Sequence, residues 1–427
     1  MNSENTLLEN SHQSTFRAII IMCVLYFSFG FVTWLNGTLI PFLKMACELK
    51  NDTQSFFVTF AFYIAYFVLA LPASSILKKT GYKKGIVIGL LIIAAGSLVF
   101  IPAAHQRSFA LFLTGLFIQG GGLALLQTAA NPYITIIGPR NSAAKRISIM
   151  GICNKTAGII SPLILSATLL KGANLLDKKI ATTTDINLKE QLLAALSARI
   201  IVPYLIIALL LIATAFLIYL SSLPDIDTDS EDPIHKDQNM GRTIFQFPHL
   251  WLGVVCIFLY VGAEVMAGDA IGTYGKALGL PLSETRYFTS FTLFAMLLGY
   301  MVGIFTIPKL LSQQMSLTIS AILGIIFSIG VFITSGYTAI FFIALLGLAN
   351  ALMWPAIFPL AIDRLGKFTK TGSALLVMGI AGGAVLPILY GWLKDSLHLA
   401  NNLSFFICLA PCYLYILFYA IKGYKFR

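Results

Sequence analysis

Four side chains in the stretch from Gly120 to Pro162, GGGLALLQTAANPYITIIGPRNSAAKRISIMGICNKTAGIISP, do not belong in hydrocarbon: Gln127, Asn131, Asn154 and Lys155. The stretch reads as two long apolar segments joined by a short basic turn. A lysine at the centre of a membrane helix costs roughly 2.5–3.5 kcal/mol on insertion scales, so such groups face a bundle interior or a watery cavity. Asp269 and Glu264, in YVGAEVMAGDAIGTYG, are the matching acidic residues. They are five apart, about 140° around a helix, so they point to different faces. Asp269 is the one expected to reach a central cavity, because Gly268 and Gly272 beside it let a helix open or a ligand approach closely. Glu264 then lies near the headgroups or in a structural pair, or shares the cation-binding role.

Lys155 reads either as a charge partner and hydrogen-bond donor or as a long side chain that snorkels to the interface. Arg146 is nine residues earlier, about 13 Å of helix, which makes snorkelling hard. Asn36, Gln127, Asn131, Asn154 and Asn350 each offer donors and acceptors together, which a sugar hydroxyl needs. Gln119 is similar and less central. The competing use of such amides is interhelical glue. Trp34 and Trp354 lie deep in apolar segments, where an indole can cover the apolar face of a pyranose or simply pack. Trp251 and Trp392, nearer segment ends, suit an interfacial belt. Pro132 removes a backbone donor after Asn131 and gives that helix a place to bend. This chemistry is reversible binding of a neutral, hydroxyl-rich solute and a cation. Bond-breaking constellations are missing: there is no P-loop, GxSxG or HExxH, and His12, His105 and His398 fall at termini or segment ends.

The elements that must position these groups are membrane helices. Of 427 residues, 58% are hydrophobic and 11% charged, against about 25% charged in soluble domains. A helix needs about 20 apolar residues to cross a bilayer. That ruler predicts twelve spans, near 17–44, 54–78, 83–104, 109–138, 146–170, 200–222, 248–275, 287–311, 315–335, 338–362, 372–395 and 401–422. Runs this long exclude a β-barrel, whose strands are short and alternate. The first run carries no small-residue cleavage site and is expected to be retained. The net charge of +11 resides in short turns, as orientation signals and headgroup contacts, and does not indicate nucleic acid. Lys78, Lys79, Lys83, Lys84, Arg140, Lys145, Arg146, Lys309, Arg364, Lys367, Lys370, Lys422, Lys425 and Arg427 fall on one side of a twelve-span chain, so both termini are expected in the cytoplasm. The long loop from Lys171 to Arg199 holds INLKEQLLAALSARI, expected as a short amphipathic helix on the outer face. The six cysteines show no metal-ligand spacing and read as small core residues.

Residues 223–246 form an acidic, proline-containing linker that divides the chain into a bundle at 1–222 and another at 247–427. The halves echo each other. SIMGI at 148–152 matches LVMGI at 376–380, NGTLIPFLK at 36–44 lines up with GDAIGTYGK at 268–276, and GLA recurs at 122–124 and 347–349. Two six-helix halves with a site between them is a transporter architecture.

The motifs FGFVTWLNGTLIPFLK, LLQTAANPYITIIGP, GICNKTAGIISP, YVGAEVMAGD, MWPAIFPLAIDRLGKFTKTGSALLVMGIAGGAVLP and LKKTGYKKG run from end to end of the chain. Through them it resembles the major facilitator superfamily, and within it the fucose–galactose–glucose symporters, in the bacterial glucose/galactose branch. The resemblance implies an all-α fold of two pseudo-symmetric six-helix bundles, rocking alternating access, and a hexose bound between the halves. Fucose permeases carry an aspartate where this chain has Gly37 and a glutamate where it has Gln127, so the coupling site lies elsewhere or the ion differs. Asp269, Glu264 and Lys155 are the candidates, for sodium or a proton. The expected function is non-enzymatic import of a neutral hexose across the cytoplasmic (inner) membrane. The partners expected are the sugar, the cation and the bilayer, with no other cofactor or metal, and the unit is expected to be a monomer. Other readings are a same-fold carrier of fucose, a polyol or a nucleoside, and a membrane enzyme or substrate-sensing receptor. A carboxylate solute would call for arginine in the cavity. An enzyme would show a catalytic cluster, and a receptor an appended soluble domain.

Overall fold

A computed structural model describes residues 2–136, 143–221, 243–307 and 309–426. Most of the linker at 223–246 lies outside them. The described residues contain eleven helices, or helix runs, long and apolar enough to cross a membrane. One of them, Phe57–Gln106, has 50 residues. At 1.5 Å per residue that is about 75 Å, more than twice the hydrocarbon thickness. The chain breaks within it at Gly81, whose φ of 76° and ψ of 173° only glycine adopts without strain. Spans two and three meet there, and the total is twelve.

Large apolar side chains that would be faults in water face outward along the spans, among them Val202, Leu209, Phe216 and Phe305. Lipid is their solvent, so helices that are apolar all round are stable here. Inside, spans approach closely on glycines. A Cβ on Gly382 would lie 1.7 Å from the Phe258 carbonyl oxygen, and one on Gly120 2.1 Å from that of Phe62.

Three spans expected to be continuous are interrupted. The first runs Asn2–Thr33 and resumes as Asn36–Ala46. The seventh runs Pro248–Gly268 and resumes as Ile271–Ala277, and the tenth runs Gly336–Asn350 and resumes as Met353–Ile362. Span eleven keeps its path through a 3₁₀ turn, Gly379–Ala381. Hydropathy cannot register these breaks, because one or two residues out of helical geometry leave the apolar count unchanged. By contrast span four, Phe109–Ile136, runs through Asn131 as one helix.

The loop after span five contains two helices, where one was expected. Ala173–Thr182 comes first, and Ile186–Ala198 follows, capped by the Asp185 side chain. The second is no free amphipathic surface helix. It buries Leu193, Leu196 and Ser197, and Ser197 Oγ donates to the Ala104 carbonyl.

Across the halves, span two packs on span eleven and span five on span eight, Phe288–Thr306. At the end remote from the linker, Thr53 donates its N–H and hydroxyl to Asp395 Oδ2, each at 2.7 Å. Asp52 beside it bridges Lys44 and Lys394.

Candidate functional site

Between the halves lies a cavity of about 110 Å³. A water molecule's share of liquid volume is about 30 Å³, so the space takes several heavy atoms. Seven of the ten residues singled out from the sequence line it: Trp34, Gln127, Asn131, Asn154, Lys155, Glu264 and Trp354.

The wall from the first half is a set of amides, each tied to an aromatic ring. Tyr26 donates its hydroxyl proton to Asn131 Oδ1 at 2.7 Å. Gln127 Nε2 donates to the Tyr66 hydroxyl at 3.1 Å, and the Trp34 indole N–H donates to Asn154 Oδ1 at 3.2 Å. These bonds fix the amides and leave Gln127 Oε1 and Asn154 Nδ2 without a protein partner, one acceptor and one donor for a guest. The opposite wall presents Tyr260, Glu264, Tyr300 and Trp354. Tyr300 fits only because position 151 is glycine: a Cβ there would stand 2.6 Å from its ring. Trp354 is half-buried, lines the cavity and stacks on Phe358 at 5.6 Å, which holds its plane.

Charge crosses the interface at one point of this wall. Lys155 Nζ donates to Glu264 Oε1 at 2.7 Å, joining spans five and seven. Both residues are buried, so the pair is compensated in a medium where a lone charge is expensive. The Lys155 ammonium also stands 4.0 Å from the centroid of the Trp34 ring.

Asp269, expected from the sequence to reach the central cavity, does not line it; Glu264 does, and it holds Lys155. The 140° between them puts the two carboxylates on different faces, and the face turned to the cavity is that of Glu264. Asp269 falls at the break of span seven, buried, with the Gly37 backbone as its hydrogen-bonding neighbour and no side-chain partner. Three residues are thereby moved off the cavity wall. Asn36 sits just past the break of span one, 1% exposed, its Nδ2 without a partner. Asn350 accepts a hydrogen bond from Tyr413 at 3.0 Å and ties spans ten and twelve. Asp269 is the third. Gln119 likewise bonds Ser97 at 2.8 Å.

Sequence reasoning missed the tyrosines. Tyr26, Tyr63, Tyr66, Tyr260 and Tyr300 all line the site. The only available signal was the spacing of Tyr63 and Tyr66, which puts both rings on one helix face, and tyrosine is common enough in apolar cores to hide it.

Twelve helices, paired halves and a polar cavity between them define a secondary-transporter architecture. The Major Facilitator Superfamily profile matches residues 22–388, and the chain belongs to that family. It is similar to the glucose/galactose transporter of Brucella abortus, 34% identical over 98% of this chain and 97% of the relative. It is also 30% identical to the L-fucose-proton symporter of Escherichia coli, over 88% of this chain and 86% of that one. A crystal structure of the E. coli fucose:proton symporter superposes with a TM-score of 0.76 at 26% identity, covering 96% of this chain and 99% of that chain.

Proposed function

We propose that this protein imports a neutral hexose, glucose or galactose, across the bacterial inner membrane by alternating access, driven by a cation gradient. The observation that carries the reading is a buried lysine–glutamate pair spanning the two halves, set in a cavity whose wall also carries three amides, five tyrosines and aliphatic side chains. The amides and Trp354 suit a hydroxyl-rich ring, and none of the described residues that line the cavity is an arginine that would receive an anion. The relatives named glucose/galactose transporter support the choice of sugar.

The charge count supports the coupling. Glu264 and Asp269 carry two negative charges when ionised, and Lys155 carries one positive. One monovalent cation, a proton or sodium, completes neutrality in a site that disfavours net charge. A cation arriving at the carboxylates competes with Lys155, and the sugar shifts the balance between the two arrangements. One cation per sugar follows. The halves at 1–222 and 247–427 rock about this site, with the 223–246 linker and both termini in the cytoplasm, and one chain is the working unit.

The test is uptake of labelled glucose and galactose in proteoliposomes, with proton and sodium gradients imposed separately. Accumulation should follow one gradient at one cation per sugar. Downhill equilibration alone under both gradients would overturn the coupled reading. Cysteines placed at 235 and 183, in a background without native cysteines, should label from opposite faces. Labelling of both by an impermeant reagent in intact cells would sink the topology.

A further inference from the structure

Trp34 was expected as a platform for the sugar, and its surroundings do not suit that use. The residue is 2% exposed, and one face of its ring carries the Lys155 ammonium at 4.0 Å. Its edges are wedged between helices of the two halves. A Cβ on Gly158 of span five would lie 2.6 Å from its Cδ1, and a Cβ on Gly268 of span seven 2.6 Å from its Cζ3. The residue stands at the two-residue interruption of span one, where the backbone bonds are long, 3.3 Å from Trp34 N–H to the Gly30 carbonyl and 3.4 Å from Leu35 N–H to that of Val32. A sugar has no free face of this indole to cover.

What Trp34 does touch is both functional groups of span five. Its N–H donates to Asn154 Oδ1 at 3.2 Å, and its ring faces Lys155, which holds Glu264 at 2.7 Å. Asn154 and Lys155 are sequence neighbours, about 100° apart on a helix, and so point to different sides. A third group is needed for one to act on the other, and the indole is in contact with each. Tryptophan is the ring that best holds a cation on its face.

We infer that Trp34 is a positioning residue that transmits sugar occupancy at Asn154 to the Lys155–Glu264 pair. The inference rests on the symport reading above. A sugar hydroxyl that accepts from Asn154 Nδ2 turns the amide and draws its Oδ1 away from the indole N–H. Once released, the ring moves in the gap of span one and no longer holds the ammonium in place. Lys155 then loosens from Glu264, and the carboxylate becomes open to the coupling cation. Sugar and cation therefore favour each other's binding, and by linkage each tightens the other by the same factor.

The measurement is the ratio of glucose Kd without and with the coupling cation, in purified protein. Couplings between sites are on the order of 5–150-fold, and the unaltered protein should fall in that range. Trp34→Phe keeps a ring over Lys155 and removes the N–H. Its ratio should fall to about one while glucose still binds. Gly158→Ala presses on the ring edge from span five and leaves Asn154 and Lys155 in place. Its ratio should fall in the same direction, which serves as the second reading if the first variant folds poorly. A ratio equal to that of the unaltered protein in either folded variant overturns the inference. So does a Trp34→Phe variant whose glucose affinity drops equally with and without the cation, since that is the signature of a plain sugar contact. An unaltered protein whose glucose binding ignores both sodium and protons would instead defeat the symport reading itself.

Discussion

At the scale of residues, the chemistry is concentrated in one ion pair and two amides. Glu264→Gln removes the partner of a buried lysine, and breaking such a pair costs about 3–5 kcal/mol because a charge is left uncompensated. Thermal stability in detergent should fall, and gradient-driven accumulation should vanish. Adding Lys155→Met should restore stability without restoring accumulation, because the charge is gone and so is the cation site. An accumulating double variant would show the pair to be structural only. Asp269→Asn should also abolish accumulation, with sugar counterflow partly preserved, since counterflow needs only rocking of the loaded carrier. The amides separate by position. Gln127→Ala and Asn154→Ala should each weaken hexose binding about 2–10-fold, the worth of a neutral hydrogen bond. Asn350→Ala should destabilise the fold by about 1–3 kcal/mol through the orphaned Tyr413 hydroxyl, without that loss of affinity. Equal binding losses at all three positions would mean that the cavity wall is drawn wrongly.

At the scale of elements, the interruptions place the groups that matter. Trp34 occupies the break of span one and Asp269 begins that of span seven. In the alignment of NGTLIPFLK with GDAIGTYGK the two breaks fall about one turn apart, whereas the break of span ten has no counterpart in span four. Around these breaks the spans are held by backbone contacts that admit no side chain. The Gly382 Cα faces the Phe258 carbonyl, joining spans seven and eleven. Gly382→Val should lower stability by about 1–3 kcal/mol, as overpacking does, and should reduce transport by tilting span seven and Glu264 with it. An unaltered melting temperature and transport rate would show that this contact yields without consequence.

At the scale of the whole molecule, the halves are fastened at the end remote from the linker by Thr53, Asp52, Lys394 and Asp395. Burial works against the charge on Asp52, but Lys394 and Lys44 outweigh it and hold its carboxyl below the ordinary value of 3.8. A depressed carboxylate contributes its stabilisation above that value and loses it as pH falls through the lower folded value. The tie is therefore constant between pH 5 and 8. Any change in transport rate across that range originates elsewhere, and Asp52→Asn should leave the shape of the profile as it is. Alternating access requires this end to open. Thr53→Cys with Asp395→Cys, in a background without native cysteines, should cross-link and stop transport, and reduction should restore it. Continued transport by the cross-linked protein would place the moving interface elsewhere.

The amino-acid sequence by itself determined the number of spans and the short roll of polar residues from which a site could be made. Those properties follow from apolar run length and from the cost of a charge in hydrocarbon, both of which are local. Seven of the ten candidate residues meet in one cavity because polar groups in a span must turn inward. Tertiary structure alone decided which carboxylate faces the cavity, since five residues of spacing fix an angle between two side chains but not which of them meets span five. It also decided that Trp34 is enclosed by Gly158 and Gly268, and that Asn350 serves Tyr413. Each of these is a contact between segments more than 60 positions apart, and helical periodicity carries no information about the neighbour a helix face will find.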